Sequence, residues 1–149
     1  MISRRTITVA VVAFAVLAGC SSDNNPTAPP GSTPGQIAAR SVITQSAPVN
    51  TAVGAPPSVL VRAGSGTPVA GVTVTFAVTG GGGTVLPAMP VVTDASGIAT
   101  VGSWTLGATQ GANTLSATAT GSGIAGNPVL FAATGLAFTQ QGLKLVGTG

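Results

Sequence analysis

The chain contains no histidine and no tyrosine, and only two of its 149 residues are acidic. A Ser–His–Asp triad therefore has no base. A pair of catalytic carboxylates is also excluded from the main domain, where Asp94 is the only acid. These absences predict a protein that is not an enzyme and that has no catalytic residues, no cofactor and no metal site.

Charge of either sign is scarce, at 5% of residues against about 25% in an average soluble domain. The five basic residues are Arg4, Arg5, Arg40, Arg62 and Lys144. Removal of the N-terminal segment leaves three basic and two acidic residues, so the net charge falls from +3 to 3 − 2 = +1. No basic cluster with interleaved aromatic residues remains, which predicts no nucleic-acid partner.

A single cysteine, Cys20, excludes an intramolecular disulfide and a zinc site built from several thiolates. It follows a basic start and the apolar stretch Ile7–Ala18, which is shorter than the ~20 residues of a membrane-spanning helix. Residues 1–19 are therefore predicted to be a secretory signal peptide. An ordinary basic start fits Arg4-Arg5 better than a twin-arginine export signal.

The tetrad Leu17-Ala18-Gly19-Cys20 resembles the lipobox of bacterial lipoproteins. The resemblance implies cleavage before Cys20, lipidation of Cys20 with palmitate or a similar acyl chain, and anchoring in a membrane of the cell envelope. Ser21 is compatible with sorting to the outer membrane and the cell surface. The alternative is a buried free cysteine that falls at this position by chance.

Residues 20–35 are rich in Ser, Pro and Asn and have no apolar periodicity, so a disordered linker is predicted there. At about 3.3 Å per residue, this linker would hold the following domain up to roughly 50 Å from the membrane.

Beyond Gly35, apolar residues alternate with polar ones in short segments, as in half-buried strands. The 22 glycines and 11 prolines disfavour long helices and favour frequent turns. Six or seven short strands at even spacing predict an all-β sandwich. The predicted strands are Ile37–Thr44, Ser58–Ala63, Val72–Thr79, Ile98–Leu106, Asn113–Thr120 and Pro128–Ala133.

The alternation slips within Ile98–Leu106, because Ala99 and Val101 have the opposite parity to Trp104 and Leu106. A β-bulge near Gly102-Ser103 would restore one inward face. We predict that bulge and a Trp104 side chain packed between the sheets; the alternative is a surface platform for stacking on sugars.

Two polar or flexible segments have structural interpretations. Asp94-Ala95-Ser96-Gly97 predicts a tight turn in which Asp94 accepts backbone hydrogen bonds. Calcium binding by Asp94 is the alternative, but calcium is coordinated by 6–8 oxygen ligands, usually from several carboxylates. The four glycines Gly80–Gly83 predict an inter-strand loop rather than a phosphate loop, which needs a following Lys and a helix.

Several motifs in order resemble bacterial immunoglobulin-like domains of the invasin and intimin type (Big-1). The motifs are Gly66-Thr67-Pro68-Val69-Ala70-Gly71-Val72-Thr73-Val74-Thr75-Phe76, Thr93–Val101, Trp104–Gly107, Gly111–Thr114 and Val129–Gly135. The resemblance as a whole covers roughly residues 36–135. The resemblance implies an immunoglobulin-like antiparallel β-sandwich of about seven strands. It also implies a non-catalytic rod segment or adhesion module on a bacterial surface.

The sequence therefore predicts a membrane-tethered structural or adhesion module at the bacterial cell surface. The alternative is an envelope lipoprotein that binds carbohydrate or a small ligand, since sandwiches host many binders. Expected partners are the membrane, through the lipid, and another envelope or surface protein. Self-association is a further expectation, because few charges guard the strand edges. Residues 136–149 are interpreted as a flexible tail or as the truncated start of another module.

Overall fold

A computed structural model describes residues 33–137, and no residue in this range is helical. The chain forms ten β-strands, which confirms the all-β fold class, although several strands are shorter than predicted. Their bounds are β1 Pro34–Ala39, β2 Thr44–Pro48, β3 Ser58–Ala63, β4 Thr73–Gly80, β5 Thr84–Leu86, β6 Val91–Val92, β7 Ile98–Thr100, β8 Ser103–Thr105, β9 Gly111–Ala119 and β10 Val129–Leu136.

The strands form a sandwich of two layers. One layer is a five-stranded sheet in the order β2-β10-β9-β4-β6. The other layer contains the three-stranded sheet β1-β3-β7 and the two-stranded sheet β5-β8. The chain passes from the first of these sheets to the second between the consecutive strands β7 and β8. Strand pairings are antiparallel with one exception, the parallel pairing of β2 with β10.

The core lies between the layers and consists of the alternate side chains that the sequence pattern predicted to face inward. Val74 of β4 and Leu115 and Ala117 of β9 are fully buried, and Phe131 of β10 is nearly so. In β3, Val59 and Val61 face the core while Arg62 is exposed, as predicted. Alternation therefore identified the inward face of each long strand correctly, because successive side chains of a strand point to opposite sides.

The predicted first strand, Ile37–Thr44, is wrong in extent, because the chain changes layers within it. β1 ends at Ala39, and the backbone N–H groups of Arg40 and Ser41 donate to Ser58 O at 2.8 and 3.3 Å. The chain then crosses to the other layer and runs beside β10 as β2. This crossover places β2 parallel to β10, which a meander of hairpins would not produce.

The predicted bulge at Gly102-Ser103 is also wrong, since the chain divides there into two strands with different partners. β7 pairs with β3, whereas β8 pairs with β5. Gly102 N donates to Leu86 O at 2.8 Å and so begins the second pairing. The change of partner lets Val101 and Trp104 both face the core despite their opposite parity.

The described chain enters the sandwich at one end and leaves it at the other. At the entry end, Gly35 O accepts a hydrogen bond from Ala125 N at 2.9 Å. At the exit end, Leu136 O accepts one from Val49 N at 2.9 Å. β2 and β10 both run from the first end to the second, because they are parallel and β10 follows the loop around Ala125 that meets Gly35.

The sequence predicts a domain over residues 36–135, and those bounds stay a prediction. β1 begins at Pro34, inside the predicted linker 20–35, and β10 ends at Leu136. The predicted signal peptide 1–19, Cys20, the linker up to residue 32 and the tail from residue 138 lie outside the described residues.

Candidate functional site

Trp104 is a core residue and does not form a surface platform. Its side chain is 0% exposed. Among residues 33–137, its indole Nε1 is the one buried side-chain polar atom without a hydrogen-bond partner. The backbone of Trp104 is also held in place, because Trp104 O accepts a hydrogen bond from Val53 N at 2.9 Å. A sugar ring therefore cannot stack on Trp104 in this fold.

Asp94 forms the predicted turn between β6 and β7. Its Oδ1 accepts hydrogen bonds from Ser96 N at 2.8 Å and from Ile98 N at 3.0 Å. Gly97 N donates to Asp94 O at 2.9 Å, and Gly97 has a φ of +73° that suits glycine. The Asp94 carboxylate thus stabilises its own turn by accepting hydrogen bonds from the backbone.

Ionisable groups are few and scattered in the described part of the chain. Its charged residues are Arg40, Arg62 and Asp94. Within residues 33–137, no three His, Cys, Asp or Glu side chains approach one another closely enough to hold a metal ion. The described strands therefore assemble no acid–base pair and no metal-ligand set.

Two shallow, open hollows lie on the surface of the sandwich. The first, of about 350 Å³, lies on the outer side of β1 and β3 and is lined by Gln36, Ala38, Ala39, Leu60 and Arg62. The second, of about 340 Å³, lies at the entry end and is lined by Pro34, Val69, Ala70, Gly71, Val72, Thr73 and Thr120. Neither contains a nucleophile beside a base or an aromatic face, so neither has the features of an active site or a sugar site.

Buried and half-buried polar side chains hold the loops in place, and no sequence motif predicts these contacts. Thr93 Oγ1 accepts from Val72 N at 2.9 Å and donates to Val69 O at 2.8 Å. Asn113 Oδ1 accepts from Gly107 N at 3.0 Å. Asn127 binds both the N–H and the C=O of Ala119, at 3.0 and 2.9 Å.

Gln45 makes a similar two-point contact between β2 and the chain that follows it. Its Nε2 donates to Ala55 O at 2.8 Å, and its Oε1 accepts from Ala55 N at 2.9 Å. Such contacts have no fixed sequence spacing, so only the folded chain reveals them. They satisfy backbone groups in loops that no ladder reaches.

The solvent-facing side of the five-stranded sheet is a surface without charged side chains. None of its strands carries an Asp, Glu, Lys or Arg. The exposed side chains are small or apolar and include Thr44, Ser46, Thr75, Ala77, Thr118, Leu130, Ala132 and Thr134. No sequence motif marks this face, because its residues come from distant parts of the chain.

No protein-family model and no curated protein sequence matches this chain. A solved structure described as the "D00-D0 domain of Intimin" is similar, with a TM-score of 0.51 and 20% sequence identity. The similarity covers 72% of this chain and 51% of that structure. The domain shares its fold with a domain of intimin.

This likeness supports an immunoglobulin-like β-sandwich of the intimin type for residues 33–137. The chain spans about half the length of the similar intimin structure. Within the described residues, no helix is long and apolar enough to cross a membrane.

Proposed function

We propose that the chain is an exported, lipid-anchored spacer or adhesion module that carries no catalysis of its own. The observation that carries this proposal is the in-line path of the described domain, which the chain enters at one end and leaves at the other. A module of this geometry adds its full height to any extended assembly. Nine residues in β9 correspond to a height of about 30 Å.

The N-terminal residues support a membrane tether for this module. A basic start, a short apolar stretch and the tetrad Leu17-Ala18-Gly19-Cys20 precede a linker rich in Ser and Pro. A protein anchored by several acyl chains stays on a membrane, whereas one chain anchors it only marginally. We therefore infer that Cys20 is lipidated and that the domain stands at the outer membrane or cell surface, in contact with another envelope or surface protein.

The intimin-like fold supports an adhesion or structural role and membership of the Big-1 class. The lack of an acid–base pair in the described part of the chain favours a role without catalysis. Carbohydrate binding, in contrast, has lost its main support, since Trp104 and Phe131 are buried in the core.

The tether is tested by producing the full chain in a two-membrane bacterium fed with an alkyne-tagged fatty acid. We expect the wild-type chain to carry the label and to sediment with membranes. Cys20→Ser should abolish the label, and the chain should then appear in the soluble fraction or keep its uncleaved signal peptide. The matched variant Ser21→Ala should retain the label.

Protease added to intact cells tests the surface location, with an internal periplasmic protein as the control. Digestion of the wild-type chain in cells whose control protein survives is the expected result. Fatty-acid labelling that persists in Cys20→Ser would contradict the tether, and protection of the domain from protease would contradict its surface location.

A further inference from the structure

The outer edge of β2 is open in the described structure. β2 is the terminal strand of the five-stranded sheet. Ala132 N donates to Ile43 O at 2.8 Å, and Val49 N donates to Leu136 O at 2.9 Å. Because alternate residues of a parallel strand bond to opposite sides, the N–H and C=O groups of Thr44 and Ser46 point away from β10. No residue from 33 to 137 pairs with them.

Two other edges of the described sandwich, at β1 and β8, are covered by its own chain. Ala125 lies against the outer side of β1. Ile37 N donates to Ala125 O, and Ala125 N donates to Gly35 O, both at 2.9 Å. β8 lies between β5 and the segment around Ala52. β2 therefore differs from β1 and β8 in having an uncovered edge.

The β2 edge also lacks the features that normally prevent pairing between molecules. Natural edge strands are guarded by charged side chains, central prolines or bulges. No charged residue occurs between Ser41 and Val61, and the single proline of β2, Pro48, is its last residue. Three exposed apolar side chains lie near the start of the strand, namely Val42, Ile43 and Leu130 at 57%, 53% and 65% exposure.

We propose that β2 pairs antiparallel with β2 of a second copy of this chain, about a two-fold axis at Ser46. In this arrangement Ser46 N–H donates to Ser46 C=O of the second copy, and Ser46 C=O accepts the reciprocal bond from the N–H of that copy. Thr44 lies opposite Pro48, whose missing N–H falls at the rim of the pairing. The two five-stranded sheets become one continuous ten-stranded sheet.

A second copy suits this edge because the strand is complementary to itself. A two-fold axis brings identical surfaces together, and a surface with charges of one sign would then repel its copy. The β2 edge and the outer face of its sheet have no charge, so no repulsion opposes the pairing. Only a few neutral backbone hydrogen bonds hold the two copies together, and each contributes little net free energy in water. The pairing is therefore a reversible association rather than a permanent dimer.

The two-fold axis determines how the two domains point. Antiparallel β2 strands direct the entry ends of the two sandwiches in opposite directions, because β2 runs from the entry end to the exit end. With the lipid anchor of the proposed function, on which this step rests, the two tethers leave the paired domains at opposite ends. Because each linker can extend roughly 50 Å and a domain is about 30 Å high, the geometry accommodates copies in one membrane and copies in two facing membranes. The pairing therefore describes a homophilic contact between copies of this chain.

Disulfide trapping tests the pairing directly. The full chain with Cys20→Ser has no other cysteine, so Ser46→Cys in that background places one thiol at the axis. Hydrogen-bonded antiparallel pairs have Cα atoms about 5.5 Å apart, within the 4.4–6.8 Å range of disulfides. Thr118→Cys, exposed on the central strand β9 of the same face, is the matched control.

We expect Ser46→Cys to yield at least about tenfold more linked dimer than Thr118→Cys under mild oxidation, a ratio that corresponds to ~1.4 kcal/mol. Equal yields from the two variants would overturn the proposal. A monomeric Ser46→Cys chain with slowly exchanging Thr44 and Ser46 amides would also overturn it, because another segment would then cover the edge.

A charge placed at the edge provides a second measurement that does not depend on thiol chemistry. In sedimentation of the detergent-solubilised full chain, Ser46→Lys should weaken association at least about tenfold, since edge lysines block pairing. Thr118→Lys should leave association unchanged. If both variants associate like the wild type while Cys20 still takes up fatty acid, the pairing is refuted and the anchored module stands.

Discussion

At the residue scale, a few apolar side chains carry most of the stability of this domain. The chain has a single cysteine and few charges, so neither a disulfide within the domain nor a network of ion pairs reinforces the sandwich. Leu115, Val59 and Val61 are fully buried in the core between the layers. Stability therefore depends on how well this core is filled.

Leu115→Ala is expected to lower the free energy of unfolding by about 3 kcal/mol, because it removes buried methyl groups and leaves a cavity. Thr118→Ala, three residues away on the exposed face of β9, should change it by less than about 0.5 kcal/mol. Urea unfolding followed by Trp104 fluorescence measures both. Equal effects of the two substitutions would show that β9 does not face the core as described.

Residue-scale features were predicted well where a local pattern determines them. The alternation of apolar and polar residues predicted the inward side of β3, β4 and β9. The break in that alternation within Ile98–Leu106 led to the correct prediction that Trp104 is buried. The roles of Asn113, Asn127 and Gln45 were not predicted. Their partners lie 2 to 10 residues away in loops whose course depends on the whole fold.

At the element scale, the turn between β6 and β7 joins the two layers. β6 belongs to the five-stranded sheet and β7 to the three-stranded sheet. The turn is fixed by the Asp94 carboxylate and by the positive φ of Gly97. A β-carbon on Gly97 would lie 2.5 Å from Val61 O, so this position combines strain with a close approach.

Asp94→Ala should therefore lower the free energy of unfolding by about 1–2 kcal/mol, through loss of the backbone acceptor. Asp94→Asn should recover most of it, since the amide oxygen still accepts hydrogen bonds. Thermal unfolding with and without calcium measures both effects. A calcium-dependent stabilisation of the wild type that is lost in Asp94→Asn would instead support the calcium alternative.

Gly97→Ala tests the same turn through the backbone. The left-handed conformation costs a non-glycine residue about 1–2 kcal/mol, and the contact with Val61 O adds to that cost. Gly66→Ala is the matched control, because its φ is also positive while its β-carbon would meet open space. Gly97→Ala should be the more destabilising of the two in urea unfolding.

Element boundaries were harder to predict than element faces. The sequence placed one strand over Ile37–Thr44 and one over Ile98–Leu106, and in the structure each is divided between two sheets. Local alternation continues across such a division, because both halves still bury one side. The partner of each half is decided by residues far away in the chain, such as Ser58 for β1 and Leu86 for β8.

At the scale of the whole molecule, the opposite positions of entry and exit set what the module can do. Spin labels on the full chain test this arrangement. In a Cys20→Ser background, labels on Thr33→Cys and Ala137→Cys should lie more than about 30 Å apart, the length of a nine-residue strand.

The matched pair for that measurement is Thr33→Cys with Ser122→Cys, both at the entry end. Ser122 lies in the loop that contacts Pro34 and Gly35. Its label should therefore be clearly closer to the label at residue 33. Similar distances in the two pairs would contradict the in-line path and remove the main support for a spacer role.

The sequence by itself determined the all-β class, the inward faces of the long strands and the scarcity of reactive groups. These depend on side-chain type and on the two-residue period of a strand, which are local properties. Only the tertiary structure decided that β2 leaves the layer of β1, runs parallel to β10 and keeps an open edge without charge. The partner of each strand is a segment distant in the sequence. The pairing that forms is the one that buries the whole apolar core, because that burial supplies most of the favourable free energy.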